Sequence, residues 1–505
     1  MDPDISLGRW FAARAVSTPH RRALTFEGTT WSYGEMQHRI DCLARNLRDG
    51  GVCPGDRVAF LGLNQPSFLL SLFATARLGA IFVPLNFRLT GPELAFIVGD
   101  AGVHTLVADA SYREVADSIR GDVPVRRYVS EERGPGWDAF EAGTPPLVAA
   151  EPVDPHEVAI IMYTSGTTGL PKGAMLTHAN LWWNNTNAMH QFDVMEDDVT
   201  LVAAPLFHIG GLNVTTLLTL QKGGEVVLHR VFDPAACVED IARYGVSTMF
   251  GVPAMFLFMS QVPGFDQADL TTIRTLVCGG APVPEPLIKL YNGRGVPINQ
   301  GYGLTETSPM VSFLSPEWSL VKLGSAGKAP LFGEIRIVDV ENRPITVPGV
   351  DGEVCTRGPN VMKGYWRRPD ATAAAVDAEG WFHTGDVGHV DEDGFLFIAD
   401  RVKDMVITGG ENVYPAEVES VLLDHPGVAD VAVIGLPDER WGEAVVAIVA
   451  PHAGAELTLE ELREFAGERL ARFKLPTRVE VVEVLPRNPA GKVLKFELRE
   501  RFGAL

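Results

Sequence analysis

The stretch that most constrains this chain is a loop. Residues 163–173 read Tyr163, Thr164, Ser165, Gly166, Thr167, Thr168, Gly169, Leu170, Pro171, Lys172 and Gly173, directly after the apolar run 158–162. An unbroken apolar run of that length is the pattern of a strand buried on both faces. The loop that leaves it is dense in glycine and hydroxyl groups and is closed by one cation, a composition suited to holding an anion. Glycines let backbone N–H groups converge with no Cβ in the way, the hydroxyls add donors, and Lys172 adds a mobile positive charge. Phosphate is the anion this set fits. The spacing is not that of the P-loop NTPases, because Pro171 precedes the lysine and Gly173 follows it. A flexible linker has a similar composition, but the buried strand in front and the Pro-Lys pair at the end argue for a loop held in place.

A formal net charge of -21 repels nucleic acid and anionic membrane, so no nucleic-acid partner is expected, and an anionic substrate must be held by local dipoles and a few cations. The five cysteines (Cys42, Cys53, Cys237, Cys278, Cys355) are scattered and show no C-x-x-C spacing. They argue against both a disulfide framework and a zinc site, and point to a reducing, cytoplasmic setting. The acidic start shows no signal peptide. The most apolar stretch, 68–87, is interrupted by Arg77 and Gly79 and parses as a core helix followed by a strand, so no transmembrane segment is expected.

At 505 residues the chain must divide into at least two units. Helical and strand patterns alternate from 36–47 through 57–61 to 81–85, which argues for an α/β fold with parallel-rich sheets. Short alternating strands at 334–338 and 352–356 suggest a small β-barrel-like subdomain. After the polar segment 400–404 the pattern reads as a separate α+β unit, with strands at 405–408, 431–435 and 444–449 and helices at 416–423, 459–472 and 495–502. The expected division is therefore a large N-terminal domain, 1–402, and a small C-terminal domain, 403–505.

Further clusters carry chemistry. Gln300, Gly301, Tyr302, Gly303, Leu304, Thr305 and Glu306 place a ring, two glycines, a hydroxyl and a carboxylate within one short turn. Tyr302 can stack on a base, Thr305 can donate to phosphate, and Glu306 offers the oxygen that Mg²⁺ favours. A plain turn with a helix cap at Thr305 is the alternative. Cys278, Gly279, Gly280, Ala281 and Pro282 follow a strand and offer bare backbone for close approach. Asp386 follows Gly385 and reads on its own as a turn former, and Lys492, between Gly491 and the last helix, reads as solvated surface.

In order along the chain these strings resemble the AMP-forming acyl-CoA synthetases and their relatives, the acyl-CoA ligase, peptide-synthetase adenylation and luciferase superfamily. The resemblance spans nearly the whole sequence and is nearest to bacterial fatty-acyl-CoA ligases, with 4-coumarate-type aryl-CoA ligases next. It implies ATP, Mg²⁺ and coenzyme A as reactants, a small-molecule carboxylic acid as substrate, and two half-reactions through an acyl-adenylate. It also implies roles. Loop 164–172 would hold the outer phosphates, Thr164 and Glu306 the metal, and Gly279 to Pro282 with Gln300 to Tyr302 the adenine. Asp386 and Arg401 would bind ribose, Lys403 would be the hinge of a mobile C-terminal domain, Gly409 and Gly410 would line the thiol tunnel, and Lys492 would be the catalytic lysine. The acyl pocket would be formed by His208, Ile209, Gly210, Asn213, Val277, Gly303 and Met310, with His208 beside the carboxylate. Gly210 stands where aryl-CoA ligases often carry tyrosine, so its missing Cβ suggests an open pocket for a medium or long apolar chain. An aryl acid, a carrier-protein acceptor, a partner enzyme for one half-reaction and a homodimer all remain compatible.

Overall fold

The computed structural model describes residues 4–141, 143–147, 149–164, 171–401, 404–408, 411–438, 442–467, 469–470, 472–487 and 493–503. The chain forms two compact units, Met1–Ile335 with Thr356–Phe382, and Arg336–Cys355 with His383–Leu505. The sequence places its boundary at 402/403 instead, because the polar segment there looks like a linker. Residues Leu396–Arg401 form a strand paired with Phe382–Val390.

The first unit is built as the alternation predicts. Helix Tyr33–Asp49 starts at a capping box between Ser32 and Glu35, and helix Pro66–Arg77 starts at proline, whose missing N–H costs nothing at that position. Among the described residues two eight-stranded sheets result. In one, Ile81–Leu85 lies parallel to Arg57–Leu61 on one side and to Val158–Thr164 on the other. In the other, Val199–Val202, Thr248–Gly251, Thr275–Gly279 and Ile298–Gly303 run parallel, and Met310–Leu314 closes the edge antiparallel. Phe68, Phe73 and Phe82 are fully buried between helices and sheet, each contributing about 2–3 kcal/mol of apolar burial. The carboxyl ends of parallel strands are where α/β sheets bind ligands, and the glycine-rich strings 279–282 and 301–303 leave the second sheet there.

Among the described residues a six-stranded sheet, in the order 325–327, 396–401, 382–390, 352–357, 334–338 and 344–345, has two free ends, open rather than closed into a barrel. The C-terminal part is α+β. Val428–Asp438 pairs antiparallel with Gly442–Pro451, which pairs parallel with Arg478–Val481, and helices Pro415–Leu423, Leu459–Gly467 and Lys495–Gly503 accompany them. Of the helix expected over 459–472, Leu459–Gly467 is helical, and a separate tight turn, Arg472–Lys474, follows. Among the described residues no helix is long and apolar enough to cross a membrane.

Candidate active site

The glycine-rich loop is bracketed by a hairpin. Val158–Thr164 pairs antiparallel with Lys172–Thr177, in a register that sets Thr164 directly opposite Lys172. The two ends of the loop are thus fixed side by side. Ser165, Gly166, Thr167, Thr168 and Gly169 lie outside the described residues. At the hairpin's root the Tyr163 hydroxyl donates to Asp100 at 2.6 Å. Burial first, and this bond second, raise the Tyr163 pKa, so it stays a neutral donor. Arg368 also donates to the Asp100 carboxylate, at 3.1 Å.

Glu306 sits in the short turn Thr305–Thr307 between two antiparallel strands and is buried. Its Oε1 accepts from the Tyr365 hydroxyl at 2.9 Å and lies 3.5 Å from the Thr164 hydroxyl. The Lys172 ammonium lies 5.4 Å from the centre of the Tyr365 ring, within cation–π range. Tyr365 therefore serves two partners: its hydroxyl orients the carboxylate and its face receives the cation. Burial first, then the Glu306 charge, push the Tyr365 hydroxyl well above the ordinary phenol range, so it acts as a donor. The turn is tied down by Asn360, whose amide donates to the carbonyls of Thr307 and Met310 at 2.6 and 2.7 Å, and by the Met362 N–H to the Glu306 carbonyl at 2.7 Å. Thr307, rather than Thr305, makes the turn's side-chain bonds to backbone. Tyr365 and Asn360 escaped the sequence reading; the only signal was a Gly-Tyr-Trp run in the polar segment 363–368.

Across the sheet, Gly279 faces Gly301, and a Cβ on Gly279 would lie 2.6 Å from the Gly301 carbonyl oxygen. A Cβ on Gly303 would lie 1.8 Å from the Pro309 carbonyl oxygen. Both positions accept only glycine. Gly280, Ala281 and Pro282 are exposed at the rim, Tyr302 is half-buried, and among the described residues the buried Gln300 has no partner for its Nε2.

His208 precedes the short helix Ile209–Asn213. Among the described residues its Nε2 is buried without a partner, and burial, reinforced by Arg88, pushes its pKa down to about 4. The imidazole is therefore neutral near pH 7. The buried Asn213 amide donates to the Ser308 carbonyl at 2.6 Å, linking this helix to the Glu306 turn. Val277 and Met310 share one core cluster with Phe250, whereas Ile209 packs into another. The space beside Gly210 is not open. A Cβ there would come within 2.8 Å of the Phe250 ring, so the cavity inferred from the missing side chain is filled by a neighbouring one.

In the second unit Asp386, buried on Phe382–Val390, stands in register opposite Arg401 on the neighbouring strand. Lys403, Gly409, Gly410 and Lys492 lie outside the described residues.

A hydroxyl and a carboxylate 3.5 Å apart, with a lysine opposite, give the hard oxygen donors and compensating charge of a site for Mg²⁺ and phosphate. Thr164 and Glu306 fit that ion. The family model of the AMP-binding enzymes matches residues 11–366, and that of their C-terminal domain matches 417–492. The chain is 46% identical over 497 residues to a feruloyl-CoA synthase of Amycolatopsis, covering 98% of this chain and 99% of that one. It is 39% identical over 507 residues to the long-chain-fatty-acid–CoA ligase FadD13 of Mycobacterium tuberculosis, covering 99% of each. The structure of Bacillus subtilis O-succinylbenzoate coenzyme A synthetase in complex with ATP and magnesium ion superposes with a TM-score of 0.88 at 35% identity, over 97% of this chain and 99% of that one. With the phosphate hairpin, the buried glutamate turn and these matches in agreement, the chain belongs to the AMP-binding enzyme family, as an AMP-forming acid–thiol ligase.

Proposed function

We propose that the chain joins a compact, planar apolar acid of the aryl or arylalkenoic class to CoA through an acyl-adenylate. The observation carrying this reading is the Phe250 ring against Gly210. It removes the depth a long chain would need and offers an aromatic face on which a flat acid can stack. The feruloyl substrate named for one relative supports the same choice.

In the first half-reaction the substrate carboxylate displaces pyrophosphate from the α-phosphate of ATP. Negative charge develops on phosphate oxygens, so positioning and cations dominate. Lys172 and the hydroxyls of the loop meet the outer phosphates, and Thr305 the α-phosphate. Mg²⁺, when bound by Thr164 and Glu306, neutralises phosphate charge. Tyr365, donating to its Oε1, keeps Glu306 aimed. His208, being neutral, can hydrogen-bond the acid's carboxylate without adding a charge, Asp386 and Arg401 hold the ribose, and Lys492 bridges carboxylate and α-phosphate. In the second half-reaction the CoA thiol, admitted past Gly409 and Gly410, attacks the acyl carbon and AMP leaves, after movement of the C-terminal part about Lys403.

Measuring pyrophosphate release and thioester formation over a panel of acids tests the reading. Cinnamate-type acids should exceed fatty acids of eight carbons or more at least tenfold in kcat/KM. Phe250→Ala should reverse the ranking, with about fourfold gained per added CH₂ at ~0.8 kcal/mol each. A wild-type preference for long chains, or an unchanged ranking in Phe250→Ala, would overturn it.

A further inference from the structure

Glu353, Cys355 and His383 bring three different donor atoms together, all within 4.8 Å of one another. Glu353 and Cys355 are two apart on the strand Gly352–Arg357 and so project from one face, and His383 comes from the neighbouring strand Phe382–Val390. His383 Nδ1 lies 2.8 Å from Glu353 Oε2 and 3.5 Å from Cys355 Sγ. The Gly385 N–H donates to the other carboxylate oxygen at 3.1 Å, fixing the direction of the first. Cys355 is fully buried, while His383 and Glu353 are partly exposed, so one side of the cluster faces solvent.

A second histidine in the chain shows what an ordinary hydrogen-bonded set looks like. His229 meets Asp240 through Nε2 at 2.8 Å and Cys237 through Nδ1 at 3.7 Å, so carboxylate and sulfur use opposite sides of the ring. At His383 both converge on one nitrogen. A single N–H there can only be shared between carboxylate and sulfur, a weaker three-centre arrangement. A divalent cation coordinated by the imidazole, a thiolate and the carboxylate satisfies all three, and its two charges balance the two anions.

We propose that Glu353, Cys355 and His383 form a zinc-binding site with an open fourth position. Thiolate, imidazole and carboxylate together select zinc over magnesium or calcium. Tetrahedral Zn–S of ~2.3 Å and Zn–N of ~2.0 Å require sulfur and nitrogen about 3.5 Å apart, as observed, and the N···O edge opens by about half an ångström from its hydrogen-bonded length when the ion enters. The ligands lie 28 and 30 residues apart on two strands, which is why cysteine spacing in the sequence spoke against a zinc site.

The test uses the full-length chain, stripped with chelator and titrated with Zn²⁺ against a chromophoric competitor, and separately with Co²⁺. Wild type, and Cys53→Ser as a control for the exposed thiol, should bind one equivalent of Zn²⁺ and show a thiolate-to-cobalt charge-transfer band with tetrahedral d–d absorption. Cys355→Ser, His383→Gln and Glu353→Gln should each bind at least tenfold more weakly, and Cys355→Ser should lose the charge-transfer band. Zinc should raise the melting temperature of wild type and of Cys53→Ser, and that of the three ligand variants by less. Unchanged stoichiometric binding in Cys355→Ser overturns the proposal. Should that variant not fold, the wild-type cobalt spectrum decides: absence of the thiolate band overturns the site by itself.

Discussion

Tyr365 carries more than its place in the sequence advertises. Removing only its hydroxyl, in Tyr365→Phe, keeps the ring under Lys172 but deprives Glu306 of its donor at 2.9 Å. A hydrogen bond to a charged group is worth about 1.5–3 kcal/mol, so kcat for adenylation should fall roughly ten- to hundredfold while KM for the acid holds. More Mg²⁺ should be needed for half-maximal rate, and a Tyr365→Phe enzyme indistinguishable from wild type in both respects would remove Tyr365 from the site. Glu306, Thr164 and Lys172 were legible in the sequence because their neighbours are glycines and hydroxyls in a pattern with few other uses. Tyr365 was not, because an aromatic residue signals burial without naming the partner of its hydroxyl. Gly210 shows the opposite error. A glycine reports that something approaches the backbone, and the sequence does not say whether that is substrate or, as here, the ring of Phe250.

Among the elements, helices and strands with strong punctuation were read to within a residue or two. Arg57–Leu61 and Ile81–Leu85 match their apolar runs, and Pro66 marks its helix start. Starts inferred from apolar spacing alone came late, as at Tyr33, where the capping box lies outside the periodic part. The N-terminal helix Leu7–Ser17 depends on a partner no local pattern reveals: the Leu7 N–H donates to His178 Nδ1 at 3.2 Å. His178 is 1% exposed, and burial pushes its pKa from 6.5 down to about 4. The unfolded chain therefore binds a proton that the folded chain refuses between those two values, and stability falls as pH drops through that window. The contribution is about 3 kcal/mol. In urea unfolding from pH 7 to 4, His178→Asn should start less stable but lose about that much less on acidification. An identical acid dependence in both proteins would show that this imidazole does not set it.

At the scale of the molecule the sequence foresaw a large α/β unit and a smaller C-terminal one; compactness groups 336–355 and the residues from 383 on with the C-terminal part, where the sequence expects a division at 402/403. The two-step scheme predicts separable losses. Lys492→Ala should abolish adenylate formation yet still convert a supplied acyl-adenylate to thioester, whereas Gly409→Leu should release pyrophosphate and make no thioester. Equal loss of both half-reactions in either variant, with the fold intact, would contradict the division of labour. Backbone crowding at the two glycine strings carries a consequence for how such an enzyme diversifies. At Gly279 and Gly303 even a methyl group would strike a carbonyl oxygen, so mutational searches at these positions should return almost no survivors. Phe250 is limited only by side-chain packing, and a new acid specificity, whether arising in lineages or in a selection experiment, should be found there and in the residues that touch it.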